Sequence, residues 1–442
     1  MLKTINPHVA GIDVGSEKLF VAVVGGPVRI FDTFTASLHQ LRDHLRAAGV
    51  RSVALEATGV YWLPLYEVLE AAGIEVCVVN GAHVKSLPGR KSDMADSQWL
   101  AELHSCGLLR GGFVPPQQIR RLRDYQRLRQ DHVRMGGMHI QHMQKALDRM
   151  KVKIHEVLSD LTGASGLRLV RAIIAGERDA AALLRLCDEQ ILRHKRARMR
   201  QALTATWQAE HVFALRQAVA GWEFYQGQIA ECDRQIAAVL RDLAGAGGAP
   251  AEPPAPPSGP LKRIHHHAPQ ITALHELLVQ ISGGHDLSTL PALTDYSVLQ
   301  LLSEVGTDMS RWPTVKHFTA WLGLAPSRRT SGKQRRREKR FRGRAGQIFC
   351  VIARALARSK PLALGGFYRR LRATRGGQVA NIAVARKLAV LFYNTLRHGR
   401  AYVEDGLQRY EATYREQSLR RLQRNARQFG LLVVPATHAN AS

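Results

Sequence analysis

Five side chains stand out for the chemistry that their types and spacing could perform. Asp13 lies in Gly11-Ile12-Asp13-Val14-Gly15 and Glu56 in Leu55-Glu56-Ala57-Thr58-Gly59, each directly after a short apolar run. Asp93 and Asp96 lie three apart in Lys91-Ser92-Asp93-Met94-Ala95-Asp96, a spacing that makes them neighbours on one face of a helix. Carboxylates gathered at one place repel each other and are costly unless neutralised. Hard divalent cations held by oxygen ligands, Mg²⁺ above all, do the neutralising. Two such ions can clamp the attacking and leaving oxygens of a phosphoryl transfer. Singly, each signal has a plainer reading. Asp93 also reads as an acid favoured by the helix dipole and Asp96 as a surface residue. A strand ending in Asp beside glycine also opens actin-like ATPases, although no second Gly-rich strand-turn follows residue 120. The four together point to metal-assisted phosphoryl transfer.

The fifth residue is Ser331, in Ser327-Arg328-Arg329-Thr330-Ser331-Gly332-Lys333. Between Arg328 and Arg344 there are ten Lys or Arg and one Glu. A loop so basic tracks phosphates, and a hydroxyl beside glycine within it lies where a scissile phosphate would be held. Guanidinium groups could stabilise the negative charge that develops as a serine attacks phosphorus, which makes Ser331 a candidate nucleophile. Out of that setting it would read as a turn residue. Arg328, Arg329, Lys333, Arg335, Arg336, Arg337, Lys339 and Arg340 are the candidate nucleic-acid contacts.

The carboxylates need elements to hold them. Val9–Ile12, Leu19–Val24 and Val28–Phe31 read as three strands joined by turns, with Gly25-Gly26-Pro27 as the second turn. Helical spacing over 38–48, a buried strand at 52–55, a helix over 61–72, a strand at 74–79 and a helix from about 92 to 108 follow. Hairpins first and crossovers afterwards make a mixed sheet with helices on its faces, the order of the RNase H-like fold. In that sheet the fourth strand lies beside the first, so Asp13 and Glu56 should emerge side by side.

Beyond Pro115-Pro116 the chain turns helical. Leu215, Trp222, Ile229, Ile236 and Leu243 recur every seven residues, with Ala218, Tyr225, Cys232 and Val239 three further on from the first four. Such a seam fits a coiled-coil dimer or a helix lying on its own domain equally well. Residues 244–260, rich in Gly, Ala and Pro, read as a linker. The division expected is therefore α/β plus all-α. It comprises a catalytic domain over 1–115, a helical coiled-coil region over 116–243, a linker over 244–286, a helical domain bearing Ser331 over 287–408 and a tail over 409–442.

Charge narrows the partner. The 442 residues carry 63 Lys or Arg against 36 Asp or Glu, a formal charge of +27. That excludes an acidic disordered chain and favours nucleic acid over an anionic membrane surface. No run approaches the ~18 apolar residues of a membrane span. The five cysteines are scattered without metal-ligand spacing, so a cytoplasmic location is expected. His265-His266-His267 is assigned no role, because consecutive residues point in different directions.

The motifs resemble the DEDD transposases of bacterial insertion sequences, the insertion-sequence one-ten family. At the front the resemblance rests on Gly11-Ile12-Asp13-Val14, Glu56 to Tyr61, Val79-Asn80 and Lys91 to Asp96. At the back it rests on Glu304 to Asp308, Phe318 to Pro326, Ser331-Gly332 and Val384 to Leu388. It implies an RNase H-like, RuvC-like domain whose Asp13, Glu56, Asp93 and Asp96 bind Mg²⁺. It also implies a helical dimerisation region and a transposase domain whose Ser331 attacks DNA through a covalent phosphoserine. The same resemblance implies a tetramer that joins the two halves across subunits, with a noncoding bridge RNA pairing with target and donor DNA. Two departures stand out. Leu290-Pro291-Ala292-Leu293-Thr294-Asp295-Tyr296 replaces a Gly-x-Gly hairpin, and Arg344-Ala345-Gly346-Gln347 replaces a Lys-Gly-Asn element. Competing readings are a Holliday-junction type nuclease using the four carboxylates with water, and a non-catalytic nucleic-acid-binding protein.

Overall fold

In Val9–Val14 (β1) every residue except Asp13 is buried, the pattern of a central strand covered on both faces. β1 pairs antiparallel with Lys18–Val23 (β2), which pairs antiparallel with Val28–Asp32 (β3). On its other side β1 runs parallel to Ser52–Glu56 (β4), and β4 parallel to Glu75–Val79 (β5), giving the order β3-β2-β1-β4-β5. Short turns suffice for the antiparallel pairs, and Gly25, at φ 78°, supplies the left-handed residue of the second turn. Parallel pairs need crossovers, provided by Thr35–Ala47 (α1) and Trp62–Ala71 (α2). Leu38, Leu41 and Leu45 of α1 and Leu65 and Leu69 of α2 pack against Ala10, Ile12, Val14, Val53 and Leu55. The opposite face of β1 is covered by Asp93–Ser105 (α3).

The computed structural model describes residues 4–57, 59–79, 81, 93–246, 267–326, 330–331, 334–335, 342–359 and 362–433; the side chains of 93–95, 246, 330, 331, 334, 335, 404, 405 and 407 fall outside it. The chain divides into two units, Met1–Val114 and Pro115–Ser442. The first is the mixed α/β sheet, and helices dominate the second.

In the second unit Gln117–Arg149 (α4) and Ala209–Ala246 (α9) pair along their lengths. The heptad residues Leu215, Ala218, Ile229, Cys232, Ile236 and Val239 are buried within the chain. The seam that the seven-residue repeat offers to a second chain is thus covered by α4, as an intramolecular helix pair. Gly221 permits the close approach, since a Cβ there would run into the His139 ring of α4. Ile154–Val157 (α5), Ala164–Ile174 (α6), Ala180–Leu184 (α7) and Glu189–Ala202 (α8) cap one end of the pair through Leu169, Val170, Ile173, Leu183 and Met199.

The remaining helices are Leu274–Ile281 (α10), Asp295–Val305 (α11), Val315–Trp321 (α12), Arg344–Leu356 (α13), Ala363–Arg375 (α14), Gly377–His398 (α15) and Arg400–Gln428 (α16). Phe318, Phe349, Phe392 and Tyr393 form their aromatic centre, where the Tyr393 hydroxyl donates to the Trp312 carbonyl at 2.7 Å. Two regions differ from expectation. The stretch read as linker contains α10, whose Leu278 and Val279 are buried, and α16 runs without a break through position 409, where the tail was expected to begin. Among the described residues no helix is long and apolar enough to cross a membrane.

Two sets of ionic contacts join α4 to the rest of the unit. Arg129, 1% exposed, donates from Nε to Asp233 of α9 at 2.6 Å, and also to the His267 carbonyl and the Tyr296 hydroxyl. Two residues away, Arg127 grips Glu304 with both arms at 2.9 and 2.8 Å, while Arg123 donates to the Ser303 and Glu304 carbonyls at the end of α11. Burial pulls Arg123 down to about 10 against the opposing charge of Glu304.

Candidate functional site

Strand register sets the first two carboxylates. Gly11 pairs with Ala54 and Ile12 with Leu55, so Asp13 and Glu56 are the next residues on two adjacent parallel strands, both at carboxyl ends. Alternation puts them on the same face as Gly11, the face beneath α3. Both are partly buried. Glu56 lies against the chain just beyond β5, where a Cβ at Gly81 would collide with its carboxylate.

The helix is held down by Gly11. A Cβ at that position would strike the Ser97 carbonyl and the Ala101 amide of α3, and would lie 2.8 Å from Leu100 Cβ. A glycine within a strand leaves room for a close approach, by a ligand or by another backbone. At Gly11 the room is taken by the α3 backbone, which lets the helix lie directly on the strand. Ser97, wholly buried, sits over β1, and at the other end of the helix His104 Nε2 is 2.8 Å from Ser52 Oγ of β4. Burial lowers the His104 pKa, with the charge of Glu75 opposing. The helix therefore runs with its amino end toward the carboxyl ends of β1 and β4. Asp93 is its first residue, one turn ahead of Ser97. Asp96 is partly buried, on the side that carries Leu100 and Leu103 toward Val79 of β5.

Asp13, Glu56 and Asp96 are thus distributed over β1, β4 and α3 at one end of the sheet. Among the described residues no three His, Cys, Asp or Glu form a group able to hold a metal ion; the Asp93 side chain is not among those described. The donor types, all carboxylate oxygens, suit a hard divalent ion.

Ser331 belongs to the second unit. Thr330–Ser331 (β6) pairs antiparallel with Gln334–Arg335 (β7), Ser331 opposite Gln334. Arg328, Arg329, Lys333, Arg336, Arg337, Lys339 and Arg340 lie outside the described residues, and of Arg335 only the strand position is given. Upstream, the segment that departs from Gly-x-Gly holds Ala292 at φ 61°. At the start of α11 the Ser297 N–H donates to Thr294 Oγ1 and the Thr294 N–H to Ser297 Oγ, a capping box that satisfies donors otherwise open to a phosphate.

The residues that support this arrangement are not marked in the sequence. Gly81 beside Glu56, Ser97 and Ala101 over Gly11, and the Ser52 to His104 contact carry no local motif; the one usable signal was the small-residue pair Ser97 and Ala101 at helical spacing in α3.

Residues 10–152 match the family model of the IS110-type DEDD transposase, described as a transposase, and residues 284–369 match that of the transposase IS116/IS110/IS902 family. The chain belongs to the IS110 family of DEDD transposases. The first match spans the sheet, α3 and α4, and the second runs from Gly284, ahead of α11, through Ser331 into α14. No curated protein matches the chain.

Proposed function

We propose that this transposase is a metal-dependent DNA recombinase in which Asp13, Glu56, Asp93 and Asp96 hold Mg²⁺ and Ser331 is the nucleophile. The observation that carries the reading is the register of β1 on β4 beneath α3, which brings two acidic strand ends under a helix opened by two more acids. The strand order supports the RNase H-like, RuvC-like interpretation. When bound, Mg²⁺ supplies positive charge to the phosphate and to the oxygen that leaves it.

In the cleavage step the Ser331 hydroxyl loses its proton as its oxygen bonds to phosphorus. The strand's own P–O ester bond breaks, and the departing oxygen takes up a proton to leave as a hydroxyl. One phosphodiester is exchanged for another, so attack by a DNA hydroxyl on the phosphoserine rejoins strands without an external energy source. The basic residues from Arg328 to Arg340 hold the DNA backbone around the serine. A bridge RNA selects donor and target by pairing, and subunits assembling as dimers into a tetramer bring serine and carboxylates to one phosphate.

The test incubates purified protein, the element's RNA and donor DNA with Mg²⁺, then looks for a denaturant-resistant protein–DNA adduct. Ser331→Ala is expected to abolish adduct and recombination, and Asp13→Asn or chelation of Mg²⁺ to reduce product about a thousand-fold or more. Full recombination by Ser331→Ala overturns the reading. Free 5′-phosphate ends that persist in that variant point instead to a water-using nuclease.

A further inference from the structure

A second basic feature lies further along the sequence than the serine loop, where α14 and α16 pack together. Gly366 makes the packing possible: a Cβ there would strike the hydroxyl end of the Tyr414 ring, which lies directly against α14. Beside this contact opens a cleft of about 360 Å³ lined by Arg369, Arg370, Arg420, Arg421 and Arg424, with Tyr414 at its base. Most of it lies beyond the residues that either family model matches.

The five arginines are not equivalent. Arg369 is structural, donating to the Ser359 carbonyl at 2.6 Å and to the Tyr414 hydroxyl at 3.3 Å. Arg420 pairs with Glu416 at 2.5 Å. Another acid of α16, Glu411, is spent on the backbone: both its oxygens accept from the Ala363 N–H at the start of α14, at 3.0 and 2.9 Å. Among the described residues Arg370, Arg421 and Arg424 have no carboxylate partner.

An ordinary solvated helix face alternates charge sign, which stabilises it through neighbours three and four apart. From Arg415 to Arg427, α16 instead carries Arg415, Arg420, Arg421, Arg424 and Arg427 against the single acid Glu416. Arg420 and Arg424 are four apart and Arg421 and Arg424 three apart, like-charged neighbours that weaken the helix by themselves. A polyanion laid in the cleft turns this repulsion into attraction, and guanidinium forks are shaped for phosphate oxygens.

We infer that the α14–α16 cleft is a second phosphodiester-binding site, in which Arg370, Arg421 and Arg424 grip the backbone of a nucleic acid strand at a distance in sequence from the Ser331 loop. The inference rests on the nucleic-acid reading of the protein and adds a place where the backbone is held. It calls for contacts to phosphates, not to bases, so binding there is independent of sequence and sensitive to salt.

The experiment measures binding of the full chain to a short duplex DNA, and to the duplex RNA of the same sequence, over a series of salt concentrations. The variants are Arg370→Gln/Arg421→Gln/Arg424→Gln and a control, Arg193→Gln/Arg196→Gln/Arg198→Gln, which removes the same charge from exposed positions on α8. The cleft variant is expected to lower the slope of log K against log salt by about 1 per arginine, about 3 in all, and the control to change it little. Loss confined to RNA or to DNA identifies which one occupies the cleft. Equal loss in the two variants, or none in the cleft variant, overturns the site while leaving the nucleic-acid reading intact. Failure of the unaltered chain to bind either duplex removes both. Circular dichroism of each variant checks that α16 remains helical.

Discussion

The two units solve the same positioning problem by different means. In the α/β unit, position comes from the main chain: strand register sets Asp13 beside Glu56, and the missing side chain of Gly11 sets the height of α3 above them. In the helical unit, register between helices comes from side chains, through Arg129 to Asp233 and Arg127 to Glu304. Backbone ladders define position to within a residue, because a slip of one turns every side chain to the other face. Packed helices can slide, and a buried charge that must find one partner is a device that stops them. The lesson is that the carboxylates proposed for chemistry stand where the sheet already holds them, whereas Asp233 and Glu304, which fix helices, are engaged by arginines.

The comparison can be broken at its strongest point. Arg129→Ala leaves Asp233 buried without its cation, and is expected to cost about 3–5 kcal/mol in urea unfolding, whereas an Arg129→Met/Asp233→Leu double variant recovers much of that loss. An unchanged unfolding midpoint for the single variant would remove side-chain clamping as the explanation. In the α/β unit the corresponding change is Gly11→Ala. It pushes against α3 backbone rather than a flexible side chain, with an expected loss of about 1–3 kcal/mol by the same measurement. Because α3 carries Asp93 and Asp96, strand transfer should fall further than stability alone accounts for.

A pH series sharpens the contrast within the helical unit. His275 of α10 is mostly buried, with Nδ1 3.0 Å from Asp295 at the start of α11 and Nε2 3.7 Å from Asp286 in the intervening loop. Burial disfavours its charge, but the hydrogen bond to Asp295 and the charges of Asp295, Asp286 and Glu276 outweigh that, and its pKa is raised. The folded state therefore binds the proton more tightly than the unfolded chain. The stabilisation is complete below the unfolded value near 6.5 and is lost as pH rises through the higher folded value. His275→Gln should lower the melting temperature more at pH 6 than at pH 8.5; an equal shift at both would assign the histidine a packing role only. The smallest effect is expected at Ala292, whose φ of 61° suits glycine: Ala292→Gly should raise stability by at most about 1 kcal/mol in the same melting assay.

How much was legible varies along the chain in the same way. The strands from 9 to 79 were readable because apolar alternation, short turns and helical spacers each leave a local trace. The mixed order follows once hairpins and crossovers are recognised. Placing Asp13 by Glu56 needed nothing more than that order. The heptad over Leu215 to Leu243 announced a helix with a partner but not which partner, since an apolar stripe accepts a helix of its own chain as readily as a foreign one. Arg129 and Asp233 are 104 positions apart, and nothing in their surroundings marks either as half of a pair. The cleft arginines were hidden differently: Arg420, Arg421 and Arg424 lie in what read as a tail, and only the packing of α16 on α14 brings Arg370 to them.

From its amino acids alone, then, this protein determined its elements, its charge, its family motifs and the identity of its acidic residues, because period, turn chemistry and residue type act over a few positions. Tertiary structure alone decided that α4 covers the heptad seam, that Gly11 serves a helix rather than a ligand, and that arginines from α14 and α16 face one cleft. Those outcomes depend on which distant surfaces bury one another, a choice made by the free energy of the whole chain and written in no single segment.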